Sequence, residues 1–199
     1  MSPSGTVLQR LGRLLEAHSF TSREAVAAGV SLTMLSRYVK SGELVRIGRG
    51  IYRGAHAPGL EDFRWEDLAD VAARTRGGVV CLTSALAIYG LTEEIPRKHW
   101  IAIRNSTRHR DDSSVAVVRM RNMDLGRSEI RLGQVTIPVF DRERTIVDSF
   151  RYLSSEIAIK ALKVAYSKRG AERVDFEKIR RYARVLRVKI EPYILAVTT

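Results

Sequence analysis

The sequence has little of what builds disulfide frameworks and metal clusters. Its 199 residues include one cysteine, Cys81, and four histidines, which are widely separated: His18, His56, His99 and His109. A single cysteine excludes an internal disulfide, and no two histidines have the spacing of a metal motif such as H-E-x-x-H. We therefore expect no bound metal and no cysteine-dependent framework.

Long apolar runs are also missing. No stretch approaches the roughly 18 uninterrupted apolar residues that a membrane-spanning helix needs. The first 20 residues contain spaced apolar side chains rather than the continuous apolar segment of a signal peptide. These features predict a cytoplasmic protein that does not interact with membranes.

Catalytic and cofactor motifs are absent as well. The sequence has no Walker loop and no dinucleotide glycine fingerprint, so we expect no cofactor. His109-Arg110-Asp111 matches the start of a kinase catalytic loop, but Ala116 stands where that loop requires a metal-binding asparagine. Cys81 lies in an apolar run and is interpreted as a core residue. We predict that the protein is not an enzyme.

Positive charge is abundant and unevenly distributed. The formal net charge is +12, from 34 basic and 22 acidic residues. Residues 1–55 carry eight basic and three acidic residues, whereas residues 56–140 carry twelve and eleven, and residues 141–199 carry fourteen and eight. Basic charge at both ends indicates a polyanionic partner, although it does not say which one.

The first 55 residues contain the signals of three helices and a hairpin. Apolar spacing predicts a helix over roughly 4–18, and Thr21 with Glu24 forms the capping box of a second helix that stops at Gly29. Ser31 caps a third helix that runs to Gly42. Two short strands then flank the turn 48–50. This order is that of a winged helix-turn-helix, which places its third helix in the major groove of DNA.

The third helix has two faces. Leu32, Leu35 and Val39 are predicted to face the core, which leaves a polar stripe outside. Hydroxyls and cations on this stripe and on the wing can contact bases and phosphates. The predicted DNA-binding residues are Ser31, Thr33, Ser36, Arg37, Lys40, Arg46, Arg49 and Arg53. A winged module can also serve protein contacts, and that alternative stays open.

The remainder, 56–199, is predicted as one C-terminal domain. Strand signals over about 78–140 indicate a mixed sheet. The same segment contains a helix, which is capped by Thr83 or Ser84. Further helices follow over about 141–197. The fold class is therefore α+β, with an N-terminal winged helix-turn-helix in 1–55, a mixed α/β domain and a helical end. The predicted helix near the C-terminus has a basic face, which is either solvated or a surface for an acidic protein or nucleic acid: Lys178, Arg180, Arg181, Arg184 and Arg187.

Four segments resemble the AbiEi family of antitoxins, the antitoxin half of abortive-infection toxin–antitoxin pairs of phage defence. They occur in the family's order: F-T-S-R-E-A-V-A-A-G-V-S (20–31), L-V-R-I-G-R-G-I-Y-R (44–53), T-S-A-L-A-I-Y-G-L-T (83–92) and I-P-V-F-D-R-E-R-T-I-V-D (137–148). The first two are shared by many winged helices, whereas the last two are more specific in combination.

The resemblance implies a transcriptional repressor that binds double-stranded DNA at inverted repeats in its own promoter. It also implies a C-terminal domain that counters a cognate nucleotidyltransferase-like toxin. The family's DNA-contacting role would fall on Thr33, Ser36, Arg37, Lys40, Arg46 and Arg49. Neutralisation of the toxin by direct binding, or by its enzymatic modification, are the alternatives. The segment 143–148 is interpreted as structural, fixing a helix start against the sheet.

Overall fold

The computed structural model describes residues 7–60, 62–94, 96–109 and 112–198. The chain forms two compact units, one of residues 1–76 with 131–136 and one of 77–130 with 137–199. The first unit extends beyond residue 55, where the winged helix was expected to end. One cause is that Arg53 forms ion pairs with Glu66 and Asp70 of a later helix.

The N-terminal unit has the helix and strand order of a winged helix-turn-helix. A short strand precedes the two helices of the helix-turn-helix, and a hairpin of two further strands forms the wing. The elements are a 3-10 helix Gln9–Leu15, β1 Phe20–Thr21, α1 Ser22–Ala27, α2 Leu32–Lys40, β2 Leu44–Gly48, β3 Ile51–Gly54, a 3-10 turn Phe63–Trp65 and α3 Glu66–Arg74.

The first predicted helix is not continuous. Residues 9–15 form a 3-10 helix that is kinked at Gly12, whose φ is 44°. A backbone in this region cannot continue an α-helix, and glycine adopts it without a steric penalty. The prediction of one regular helix over 4–18 was therefore wrong, and residues 4–6 lie outside the described residues.

The wing is tied into the domain by the strand that precedes the helix-turn-helix. The three strands have the order β1-β3-β2, and Phe20 of β1 lies opposite Tyr52 of β3. These two rings stack with their centroids 6.0 Å apart. They share a core with buried side chains of both helices, including Ala25, Leu35 and Tyr38. The wing is thus held by the same core that orients α2.

The second, C-terminal unit combines helices with most of a five-stranded sheet, while residues 131–136 at the last hairpin of that sheet are grouped with the first unit. The strands are β4 Val79–Val80, β5 His99–Arg104, β6 Val115–Met120, β7 Arg127–Leu132 and β8 Val135–Phe140. In the sheet they have the order β6-β5-β4-β8-β7. The helices are α4 Leu82–Ile88, α5 Arg142–Tyr152, α6 Ser155–Ser167, α7 Phe176–Leu186 and α8 Glu191–Thr198. This order of elements confirms the predicted fold class.

Three helices of the C-terminal unit begin at a side-chain cap. Asp141, Ser154 and Asp175 each accept hydrogen bonds from backbone amides at the start of a helix. The prediction that Thr83 or Ser84 caps α4 was wrong, because that helix begins at Leu82 and both hydroxyl residues are buried within it. The Ser84 hydroxyl instead accepts a hydrogen bond from the Trp100 amide at 2.9 Å, which joins α4 to the sheet.

A buried ion pair fixes the start of α5. Arg144 is 0% exposed, and its Nε donates to Asp148 at 2.7 Å. The same guanidinium donates to the carbonyls of Asn122 and Leu125, both at 2.8 Å, and lies over the Phe140 ring. The segment 143–148 therefore has the structural role that its sequence predicted.

Candidate nucleic-acid interface

The backbone of α2 is fixed at both ends by local chemistry. The Met34 amide donates to the Ser31 hydroxyl oxygen at 3.3 Å, so Ser31 is the N-cap. Because this oxygen accepts, the hydroxyl hydrogen of Ser31 can still be donated to another group. The chain leaves the helix through Gly42, whose φ is 82°. Leu35 and Tyr38 are buried and hold one side of α2 against the core.

The opposite side of α2 is a continuous polar surface. Thr33, Ser36, Arg37 and Lys40 are all exposed, as the sequence predicted. The Ser36 hydroxyl donates to the Leu32 carbonyl at 3.2 Å, which leaves its oxygen available as an acceptor. Within the described part of the chain, no carboxylate pairs with Arg37 or Lys40. Their charges are therefore available to a ligand.

Leu32 was predicted to face the core, and this was wrong. It is 58% exposed. At 100° per residue, Ser36 and Lys40 follow Leu32 on one side of the helix, whereas Tyr38 completes the buried side. A large apolar side chain therefore lies in the same exposed arc as the polar stripe.

The wing presents two arginines from a defined turn. The Arg46 Nε donates to the Gly48 carbonyl at 3.3 Å, which orients this side chain along the turn. Gly50 has a φ of 72°, and its carbonyl accepts from the Ser22 amide at 2.7 Å. Arg46 and Arg49 are both exposed. The wing tip is thus anchored to the start of α1 while its cations face outward.

Arg53 does not belong to this surface. Its guanidinium bridges Glu66 at 3.2 Å and Asp70 at 3.4 Å, and only 20% of the side chain is exposed. Asp70 also lies 2.7 Å from the buried His18. The structure therefore corrects the prediction of a DNA contact, because the charge of Arg53 is compensated within the unit. The two carboxylates lie on α3, outside the sequence that predicted the wing.

The sequence interpretation did not include Arg23 among the candidate contacts, and it placed Leu32 in the core. Arg23 is exposed in the first turn of α1, inside the capping box formed by Thr21 and Glu24. The first helix of a helix-turn-helix crosses the phosphate backbone, so an exposed cation at its start is a candidate phosphate contact. Its position after Thr21 was a signal that the sequence already contained.

Other chemistry finds little support in the described residues. Burial raises the pKa of the Cys81 thiol well above its usual value, which disfavours the reactive thiolate. Across residues 7–60, 62–94, 96–109 and 112–198, no group of three or more His, Cys, Asp or Glu side chains lies close enough to hold a metal. No helix in these ranges is long and apolar enough to cross a membrane.

The basic face of α7 is partly neutralised. Lys178 lies 3.1 Å from Asp141 and 3.0 Å from Glu143. Arg180 pairs with Glu177 at 2.6 Å and Glu191 at 3.0 Å. Two of the five basic side chains predicted for this face are therefore paired with carboxylates.

The segment that forms the winged helix matches the sequence model of a known protein family. Residues 9–53 match a family model described as "Transcriptional regulator, AbiEi antitoxin". The resemblance to AbiEi antitoxins is thereby confirmed for the N-terminal region. The match ends within β3, and it includes α1, α2 and the wing turn.

The fold of the chain also has a counterpart among solved structures. It is similar to the crystal structure of the RV2827C protein from Mycobacterium tuberculosis, with a TM-score of 0.60 and 16% sequence identity. The similarity covers 92% of this chain and 72% of that one. At this identity the likeness concerns the fold alone. No curated protein matches the chain.

Proposed function

We propose that the protein is the antitoxin of a toxin–antitoxin pair and represses its own operon. In this proposal α2 enters the major groove at inverted repeats of the promoter, and the wing contacts the flanking backbone. The observation that carries the proposal is the exposed arc of α2, whose cations have no carboxylate partner in the described residues, on a helix-turn-helix that matches AbiEi regulators. The protein acts in the cytoplasm and has no catalytic role.

The proposed interface contains contacts of two kinds. The first kind is suited to phosphates, because its residues lie at helix starts and at a turn. They are Ser31 at the N-cap of α2, Arg23 in the first turn of α1, and Arg46 and Arg49 at the wing turn. The second kind lies on the exposed arc of α2, where side chains can reach base edges. Its residues are Thr33, Ser36, Arg37 and Lys40. Phosphate contacts supply affinity and salt dependence, whereas base contacts supply sequence preference.

The Arg37→Ala variant tests whether Arg37 contacts a base of the operator. If Arg37 binds a guanine edge, we expect operator affinity to fall by about 1–3 kcal/mol and specificity to relax at one base pair. The measurement is a gel shift of the full chain on its own upstream region and on a scrambled duplex. Arg184→Ala is the matched control, because Arg184 is an exposed helical arginine of the C-terminal unit. Equal operator and scrambled affinities for the parent chain would contradict the proposed function.

Leu32→Ala tests the apolar contribution to the same readout. The exposed Leu32 side chain is suited to the methyl group of thymine, which is the apolar feature of the major groove. We expect the variant to lose its preference for thymine over cytosine at one operator position while its salt dependence stays unchanged. Selection of binding sites from a randomised duplex pool measures this. An unchanged preference at every position would remove Leu32 from the interface.

A nucleotidyltransferase-like toxin is the proposed second partner. The support is the AbiEi match together with the two segments, 83–92 and 137–148, that resemble the family outside the matched region. Co-expression with the product of a neighbouring reading frame would test it. Rescue of growth by the chain is the expected result, and a complex that persists at high salt would indicate neutralisation by direct binding.

A further inference from the structure

The C-terminal unit contains a polar cavity that the proposed function does not use. Its volume is about 330 Å³, which lies in the range of small-ligand sites. Its lining includes four arginines, two asparagines and no carboxylate: Arg119, Arg121, Arg151, Arg187, Asn105 and Asn122. The arginines come from the end of β6, the end of α5 and the residue after α7, so the fold brings them together from distant parts of the chain.

Two of the arginines are held in place by the protein. Arg119 Nη1 donates to the carbonyls of Asn105 at 2.8 Å and Thr107 at 3.0 Å. Arg151 Nη1 donates to Asp148 at 2.8 Å, but that carboxylate also serves the buried Arg144. One carboxylate therefore serves two guanidinium groups, that of Arg151 in the wall of the cavity and that of the buried Arg144.

The other two arginines are uncompensated. Arg121 and Arg187 are exposed, and neither has an ion-pair partner in the described part of the chain. Counted together, the four arginines of the wall and the buried Arg144 share one carboxylate, that of Asp148. An anion bound there would interact favourably with several guanidinium groups at once.

The backbone at Arg187 is strained. Its φ and ψ are 58° and 43°, the left-handed conformation that ends α7. Glycine takes this position without a steric penalty, whereas a side chain with a Cβ does not. Residues held in such conformations cluster at functional sites. Arginine at this position places a guanidinium group at the cavity, which glycine could not do.

We propose that this cavity binds a phosphate group. A phosphate offers more acceptor oxygens and more negative charge than a carboxylate, and planar guanidinium groups match it with paired hydrogen bonds. The two asparagine amides supply further donors. The group belongs either to a small phosphate ester or to a nucleic-acid backbone. The proposal involves only the C-terminal unit and stands whether or not the winged helix binds an operator.

The test is calorimetric titration of the full chain with inorganic phosphate, with acetate at equal ionic strength as the carboxylate probe. We expect phosphate to bind the parent chain, and Arg121→Ala and Arg187→Gly each to weaken it roughly 10-fold. Arg184→Ala is the control, because it removes an exposed arginine from α7 that does not line this cavity. Arg187→Gly should leave the melting temperature unchanged or raise it by about 2–4 °C, since it relieves strain.

Any one of three results would overturn the proposal. The parent chain does not bind phosphate, the parent and both cavity variants bind phosphate with equal affinity, or acetate binds as tightly as phosphate. Two further titrations distinguish the sources of the group. Binding of adenosine monophosphate that the cavity variants lose supports a small ester. A reduced salt dependence on a scrambled duplex, seen in Arg121→Ala but not in Arg184→Ala, supports a backbone phosphate.

Discussion

Asp148→Ala should destabilise the C-terminal unit by about 3–5 kcal/mol, because it leaves a buried guanidinium without its counter-charge. Arg144 is 0% exposed and cannot turn to solvent. Its remaining partners, the carbonyls of Asn122 and Leu125, carry only partial charge. Thermal and urea unfolding measure the effect, and we expect the melting temperature to fall by about 10 °C or more.

A second variant separates the buried charge from the lost hydrogen bonds. Arg144→Met combined with Asp148→Leu removes both charges and keeps the volume apolar, so the double variant should be more stable than Asp148→Ala alone. Glu156→Ala is the control for an ion pair of similar length, since Glu156 and Lys160 are 2.7 Å apart but both largely exposed. It should leave the unfolding curve unchanged. If Asp148→Ala also left it unchanged, the pair would not be a determinant of this fold.

Helix starts could be predicted from the sequence because the hydrogen bonds that fix them join residues close together in the chain. The capping box of Thr21 and Glu24 and the N-cap of Ser31 act within one helical turn, and each was readable from spacing alone. The pair of Arg144 and Asp148 is likewise one turn apart.

Non-local contacts explain what sequence spacing missed. Arg53 alternates with buried residues along β3 like a solvent-facing side chain, but its partners Glu66 and Asp70 lie on a helix beyond the wing. Leu32 was placed in the core because its spacing to Leu35 is helical, although Tyr38 occupies that side instead. The arginine cavity is not visible locally, since it joins residues between 105 and 187.

Replacing Arg37, Lys40, Arg46 and Arg49 together by alanine should lower operator affinity roughly 1000-fold. If each contributes at least about 1 kcal/mol, the sum is at least 4 kcal/mol, or about three decades in affinity. Each lost phosphate contact should also reduce the slope of log affinity against log salt by about 0.9. Fluorescence anisotropy over a salt series measures both quantities. All four side chains are exposed, so the fold should survive.

A charge-matched variant decides whether geometry or total charge is responsible. It carries alanine in place of four exposed cations of the C-terminal unit, Lys163, Arg181, Arg184 and Lys189. Both variants lower the formal net charge from +12 to the same value. If α2 and the wing form the interface, only the first variant loses operator binding, because phosphates are contacted by particular side chains at fixed spacing. Equal losses in both would assign the affinity to net charge and contradict the winged-helix interface.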